Sequence, residues 1–208
     1  PRIKAIGKKL GITLNDVVMA MCAGALRTYL LDLNALPKKP LIAMVPMSLR
    51  RDDSDAGNQI TMILANLGTH LADPLARADI IHRSVQNAKD RFCRMTQSEI
   101  MAYSALVYSI AGLNLLTGIA PKLQAFNVVI SNVPGPKEPM YWNGALLDGF
   151  YPVSIVLDGM ALNITLTSYV DRLEFGLIAC RKALPSMQRL LGYLEDSLNE
   201  LEQVAGLA

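Results

Sequence analysis

Two histidines and three cysteines are the side chains in this 208-residue sequence best suited to nucleophilic, acid–base or metal chemistry. Their spacing favours none of these. Cys22, Cys93 and Cys180 are far apart, odd in number and set in apolar surroundings. They read as reduced core cysteines of a cytosolic protein, not as a disulfide framework. With only His70 and His82 beside them, no zinc site of clustered His and Cys is expected, and no metal or cofactor is assigned. His70 precedes Leu71-Ala72-Asp73-Pro74 in a predicted loop, and His82 flanks the apolar stripe of a predicted helix. Both read as surface or core-edge residues. The sequence also lacks a Gly-rich phosphate loop and a Gly-x-Ser-x-Gly elbow, so no self-contained catalytic set is visible.

The remaining polar candidates sit beside predicted elements. Thr13 suits an N-cap, and Asp16 three residues on can return a carboxylate to free backbone amides. Val17, Val18, Met21, Ala25, Tyr29 and Leu30 then repeat at helical spacing, predicting a helix to about residue 33. The nearly continuous apolar run 41–47 predicts a strand buried on both faces, and a second strand is predicted over 60–67. Ser48, Arg50 and Asn58 border the polar loop between them. Pro74 opens an amphipathic helix with Ile81, Val85, Ala88, Phe92 and Met95 on one stripe. A hydrophobic helix follows from about residue 100.

A strand over 126–131 ends in Asn132-Val133-Pro134-Gly135-Pro136, a strong turn signal. Runs at 151–157, 161–169 and 173–180 predict a meander. Pro185 opens a last helix with Met187, Leu191, Leu194, Leu198 and Leu201 on its apolar stripe. Strands interspersed with long helices give an α/β, or α+β layered, domain: one mixed sheet covered by helices.

Composition narrows the partners. Apolar residues make up 51% and charged residues 18%, an excess that fits a large core, a partner surface or a lipid-facing patch. The net charge of +2, from 20 basic and 18 acidic residues, argues against nucleic acid. Residues 100–121 carry no charge, yet Tyr103, Ser104, Tyr108, Asn114 and Gly118 weaken the segment as a membrane span. A buried hairpin or core helix, a membrane-contacting surface and a true span stay open. The chain begins at Pro1 and opens inside helical sequence, which predicts a fragment or processed chain.

Six stretches in order carry a resemblance. They are residues 13–20, Val45-Pro46-Met47-Ser48-Leu49-Arg50, Gly57-Asn58-Gln59, the 131–136 turn, Tyr151-Pro152-Val153-Ser154, and Asp158-Gly159. Together they resemble the C-terminal region of the bacterial wax ester synthase/diacylglycerol acyltransferases, across essentially the whole chain. That family is similar to the coenzyme-A-dependent acyltransferase superfamily, two similar α/β lobes around a tunnel. The resemblance therefore implies a single chloramphenicol-acetyltransferase-like lobe over residues 1–208. It also implies a partner N-terminal lobe bearing the His-His-x-x-x-Asp-Gly motif, whose second histidine deprotonates an alcohol for attack on an acyl-CoA thioester. No adjacent histidines occur here.

On this resemblance acyl-CoA is the donor substrate, a fatty alcohol or diacylglycerol the acceptor, and wax ester or triacylglycerol the product. Asn15 would direct an amide donor at developing oxyanion charge. Arg50 would pair with the aspartate of the histidine motif. Asp16, Ser48, Asn58, Asn132, Pro134 and Gly135 would line the substrate path. The plainer readings are helix capping for the 15–16 pair, a solvated arginine, and a simple turn at 132–136. The implied location is cytoplasmic, peripheral on the inner face of the plasma membrane or on lipid inclusions. The alternative is a non-catalytic lipid-binding or interaction module with the same fold.

Overall fold

A computed structural model describes residues 1–48, 60–117, 124–157 and 159–207. The chain starts with α1 (Arg2–Leu10), which Gly11 closes at φ 69, a left-handed conformation that glycine adopts without strain. Helix α2 (Leu14–Asp32) follows. Its N-terminus is the predicted one: the Thr13 hydroxyl accepts from the Asp16 amide and the Asp16 carboxylate accepts from the Thr13 amide. Nearly every residue of α2 from Asp16 to Leu26 is buried, so it is the central helix of the lobe rather than an amphipathic one.

Strands β1 (Ile42–Ser48) and β2 (Ile60–Asn66) pair antiparallel. Helix α3 (Pro74–Arg94) is capped by Asp73, whose carboxylate accepts from the amides of Leu75 and Ala76. Ala78, Ile81, Val85 and Phe92 form its buried stripe. Helix α4 (Gln97–Thr117) begins three residues before the predicted start. Ile100 is buried there, Tyr103 packs edge-on against Phe92, and Met101 and Leu106 face outward. Among the described residues no single helix is long and apolar enough to cross a membrane.

The second half contributes β3 (Val128–Val133), β4 (Tyr141–Trp142), β5 (Ala145–Leu146), β6 (Leu162–Tyr169), β7 (Arg172–Ala179) and α5 (Arg189–Val204). The sheet order is β2-β1-β3-β6-β7. Here β1, β3 and β6 run parallel, while β2 and β7 flank them antiparallel. This is the expected mixed sheet. Helices α2, α3 and α5 cover one face, meeting Ala43, Ile63, Val128, Ile130, Ile164 and Leu166 in the main core. Arg2 fixes α1 to α5 through Glu195, Asn199 and Glu202, at 2.6–2.8 Å.

Three expectations need correction, and one element was not expected. Residues 151–157 form no strand and the meander reduces to the β6–β7 hairpin, because no neighbour in the described chain pairs with them. An unforeseen hairpin, β4–β5, turns on Asn143 (φ 48) and Gly144 (φ 84), both left-handed as a tight two-residue turn demands. In α5 Leu190, not Leu191, joins Leu194, Leu198 and Leu201 in the core, and the helix starts after a turn at 185–188. Of the cysteines only Cys22 is fully buried, which pushes its thiol up to about 12, while Cys93 is exposed and Cys180 half-buried.

Candidate active site

The carboxyl end of the parallel strands gathers several of the residues singled out above. Strand alternation sends Val128 and Ile130 of β3 toward the helices, and the same parity brings Asn132 to the N-terminus of α2. There the Asn132 amide donates to Asn15 Oδ1 at 2.6 Å, joining residues 117 apart in sequence. Asn15 is exposed at the second position of α2. Because the pairing uses its carbonyl, its own amide N–H groups have no partner among the described residues. The backbone of Ser48 closes β1 at this same end of the sheet.

Asp16 behaves differently from its neighbour. It is fully buried, and Oδ2 accepts from the Thr13 amide at 2.9 Å and from His82 Nδ1 at 2.7 Å. Its carboxylate lies behind Asn15 and faces His82 of α3. Its other oxygen, Oδ1, has no hydrogen-bond partner among the described residues. Asp16→Ala should therefore cost more than a simple cap. Loss of the cap is worth about 1 kcal/mol, and loss of the charged hydrogen bond from His82 about 1.5–3 kcal/mol. Allowing for overlap, urea denaturation should show about 2–3 kcal/mol less stability. An unchanged midpoint would contradict this.

Pro134 is exposed and Gly135 half-buried beyond Asn132. A Cβ on Gly135 would lie 2.0 Å from the Ser168 carbonyl oxygen, and the Gly135 amide donates to Ser168 Oγ at 2.9 Å. The close approach that this glycine permits is therefore to β6, where it anchors the turn. Arg50 and Asn58 lie outside the described residues, as does the side chain of Ser48. Among the described residues no three His, Cys, Asp or Glu side chains converge into a group that could hold a metal.

On the face opposite the helices lies a cleft of about 570 Å³. Its floor is Val129, Ser131 and Val133 of β3 with Asn163, Thr165 and Thr167 of β6, and residues 150–154 form its roof. Thr165 donates to Asn163 at 2.8 Å, and the Asn163 amide donates to the Ile155 carbonyl at 3.4 Å. The roof segment crosses β7 at Gly176, where a Cβ would lie 1.8 Å from the Pro152 carbonyl oxygen. Sequence reasoning missed this polar row on β6. Its signal was the strict alternation Leu162, Asn163, Ile164, Thr165, Leu166, Thr167.

A model of the WS/DGAT C-terminal domain matches residues 56–202. The chain belongs to this family. The WS/DGAT lobe is 65% identical to the O-acyltransferase WSD of Acinetobacter baylyi, over 98% of this chain and 44% of that protein. A solved wax ester synthase/diacylglycerol acyltransferase from Marinobacter aquaeolei VT8 superposes with a TM-score of 0.87 and 54% identity, covering 99% of this chain and 47% of that one. A condensation domain from the enacyloxin polyketide synthase, 14% identical with a TM-score of 0.56, shares the fold alone, over 96% of this chain and 38% of that one. The WS/DGAT lobe thus spans about half the length of the relatives it matches.

Proposed function

We propose that this lobe is the C-terminal half of an O-acyltransferase that moves a long-chain acyl group from acyl-CoA to a fatty alcohol or diacylglycerol, giving wax ester or triacylglycerol. The observation that carries the reading is the Asn15–Asn132 pair. It joins two separate sequence motifs at the carboxyl end of parallel strands, where ligands of open α/β sheets bind, and it leaves the Asn15 amide donors without a partner among the described residues. An alkoxide attacking a thioester carbonyl builds negative charge on the carbonyl oxygen, and a preorganised neutral donor stabilises that charge. The base that deprotonates the alcohol comes from the partner N-terminal lobe. Arg50 pairs there with the aspartate of the histidine motif, while Ser48, Asn58, Asn132 and Pro134 border the substrate path. Acyl-CoA is a substrate in this scheme, and no cofactor is needed.

The outward apolar side chains of residues 151–157 support a partner surface. Tyr151, Val153, Ile155 and Leu157 are exposed and alternate with half-buried neighbours. The test is product analysis: the full-length protein given palmitoyl-CoA should form hexadecyl palmitate with hexadecanol and triacylglycerol with dipalmitoylglycerol. Neither ester forming would overturn the reading.

Attachment to the cytoplasmic face of the membrane or to lipid inclusions is peripheral in this account. The exposed Met101 and Leu106 on α4 offer apolar contact without a span. Alkaline carbonate or high-salt washing should release the protein from membranes. Release only by detergent would speak for a span.

A further inference from the structure

We propose that His82 is a positioning residue for the acyl transfer, acting through Asp16 on Asn15. The inference rests on the assignment of Asn15 as the donor given above. His82 lies in the middle of α3, between the buried anchors Ile81 and Val85, so its ring springs from a fixed backbone. Its Nδ1–H donates to Asp16 Oδ2 at 2.7 Å. The same oxygen accepts the Thr13 amide at 2.9 Å, and Oδ1 has no partner among the described residues. His82 is thus the one side chain among the described residues that holds this fully buried carboxylate. A buried carboxylate deprived of that donor would turn toward solvent, because the Thr13 amide alone satisfies it poorly.

Turning Asp16 moves the first turn of α2. Asp16 is the third residue of that turn and Asn15 the second, so the capping box and the direction of the Asn15 amide shift together. The continuous chain of contacts runs from α3 through His82, Asp16 and the α2 N-terminus to Asn15, and on to Asn132 at the end of β3. A donor displaced by about 1 Å from a developing charge can lower turnover on the order of a hundredfold. The ring of His82 is 30% exposed, and the role assigned to it here runs through Asp16. Its effect is on geometry alone.

The experiment uses the full-length enzyme with palmitoyl-CoA and hexadecanol, comparing His82→Ala, His82→Asn, Asn15→Ala and the Ala/Ala double variant. Asparagine places an amide N–H close to where imidazole Nδ1–H sits. His82→Ala should lower kcat about tenfold or more with little change in KM, and His82→Asn should restore most of it. In the Asn15→Ala background His82→Ala should have little further effect. If His82→Ala keeps normal kcat while Asn15→Ala collapses, the inference fails and the assignment of Asn15 stands. If Asn15→Ala itself keeps normal turnover, that assignment fails and carries this inference with it. If both His82 variants lose melting temperature and turnover in parallel, the histidine is only structural, and the inference is overturned.

Discussion

Asn15→Ala in the full-length enzyme should lower turnover a hundred- to a thousand-fold while leaving the melting temperature nearly unchanged. The magnitude is that of removing one preorganised donor from a developing oxyanion, about 3–4 kcal/mol of transition-state stabilisation. The fold should survive for a local reason. Asn15 is exposed, and the cap of α2 is made by Thr13 and Asp16, not by its side chain. What the folded state loses is the bond from Asn132, a neutral exposed pair worth about 0.5–1 kcal/mol. A melt and a turnover measurement on the same sample separate the two effects. Near-normal turnover with a lowered melting point would make the amide structural and move the donor elsewhere.

Gly135→Ala should have the largest effect on stability. The added Cβ would fall 2.0 Å from the Ser168 carbonyl oxygen and 2.9 Å from Thr167 Cγ2, and the first of these is backbone that no rotamer change can clear. Overpacking against a well-formed strand costs about 1–3 kcal/mol, and a backbone clash of this depth belongs at the upper end. The turn must lift from β6, breaking the bond from the Gly135 amide to Ser168 and shifting Asn132 three residues before it. Stability should fall by about 3 kcal/mol in urea, with turnover falling alongside. A variant as stable as the parent would show that the turn is not anchored there.

The legible parts of this molecule were those set by local chemistry. The cap at Thr13 and Asp16, the α3 stripe and the position of β1 all follow from spacing, each within a residue or two of its expected place. Among the described side chains of β1, however, only Ala43 and Met44 are buried, and the rest are half-buried. Residues 151–157 mislead because their alternation is real: outward and half-buried side chains do alternate there. A strand also needs a hydrogen-bonding neighbour, and pattern alone does not supply one. The β4–β5 hairpin was overlooked although Asn143-Gly144 is the strongest short signal for such a turn. Within the site, Asn15 and Asn132 were each picked out from their motifs. Nothing in a sequence separation of 117 shows that they touch. The same holds for His82 and Asp16, 66 residues apart, whose meeting depends on how α2 and α3 pack.

The central claim is that this lobe supplies the amide donor while the base resides in a partner lobe. Coenzyme-A release from palmitoyl-CoA with hexadecanol tests it most directly, comparing the purified 208-residue chain with the same chain co-expressed with an N-terminal half bearing the His-His-x-x-x-Asp-Gly motif. The account predicts background release from the chain alone and robust release from the pair. Turnover by the chain alone, free of any upstream fragment, would contradict it.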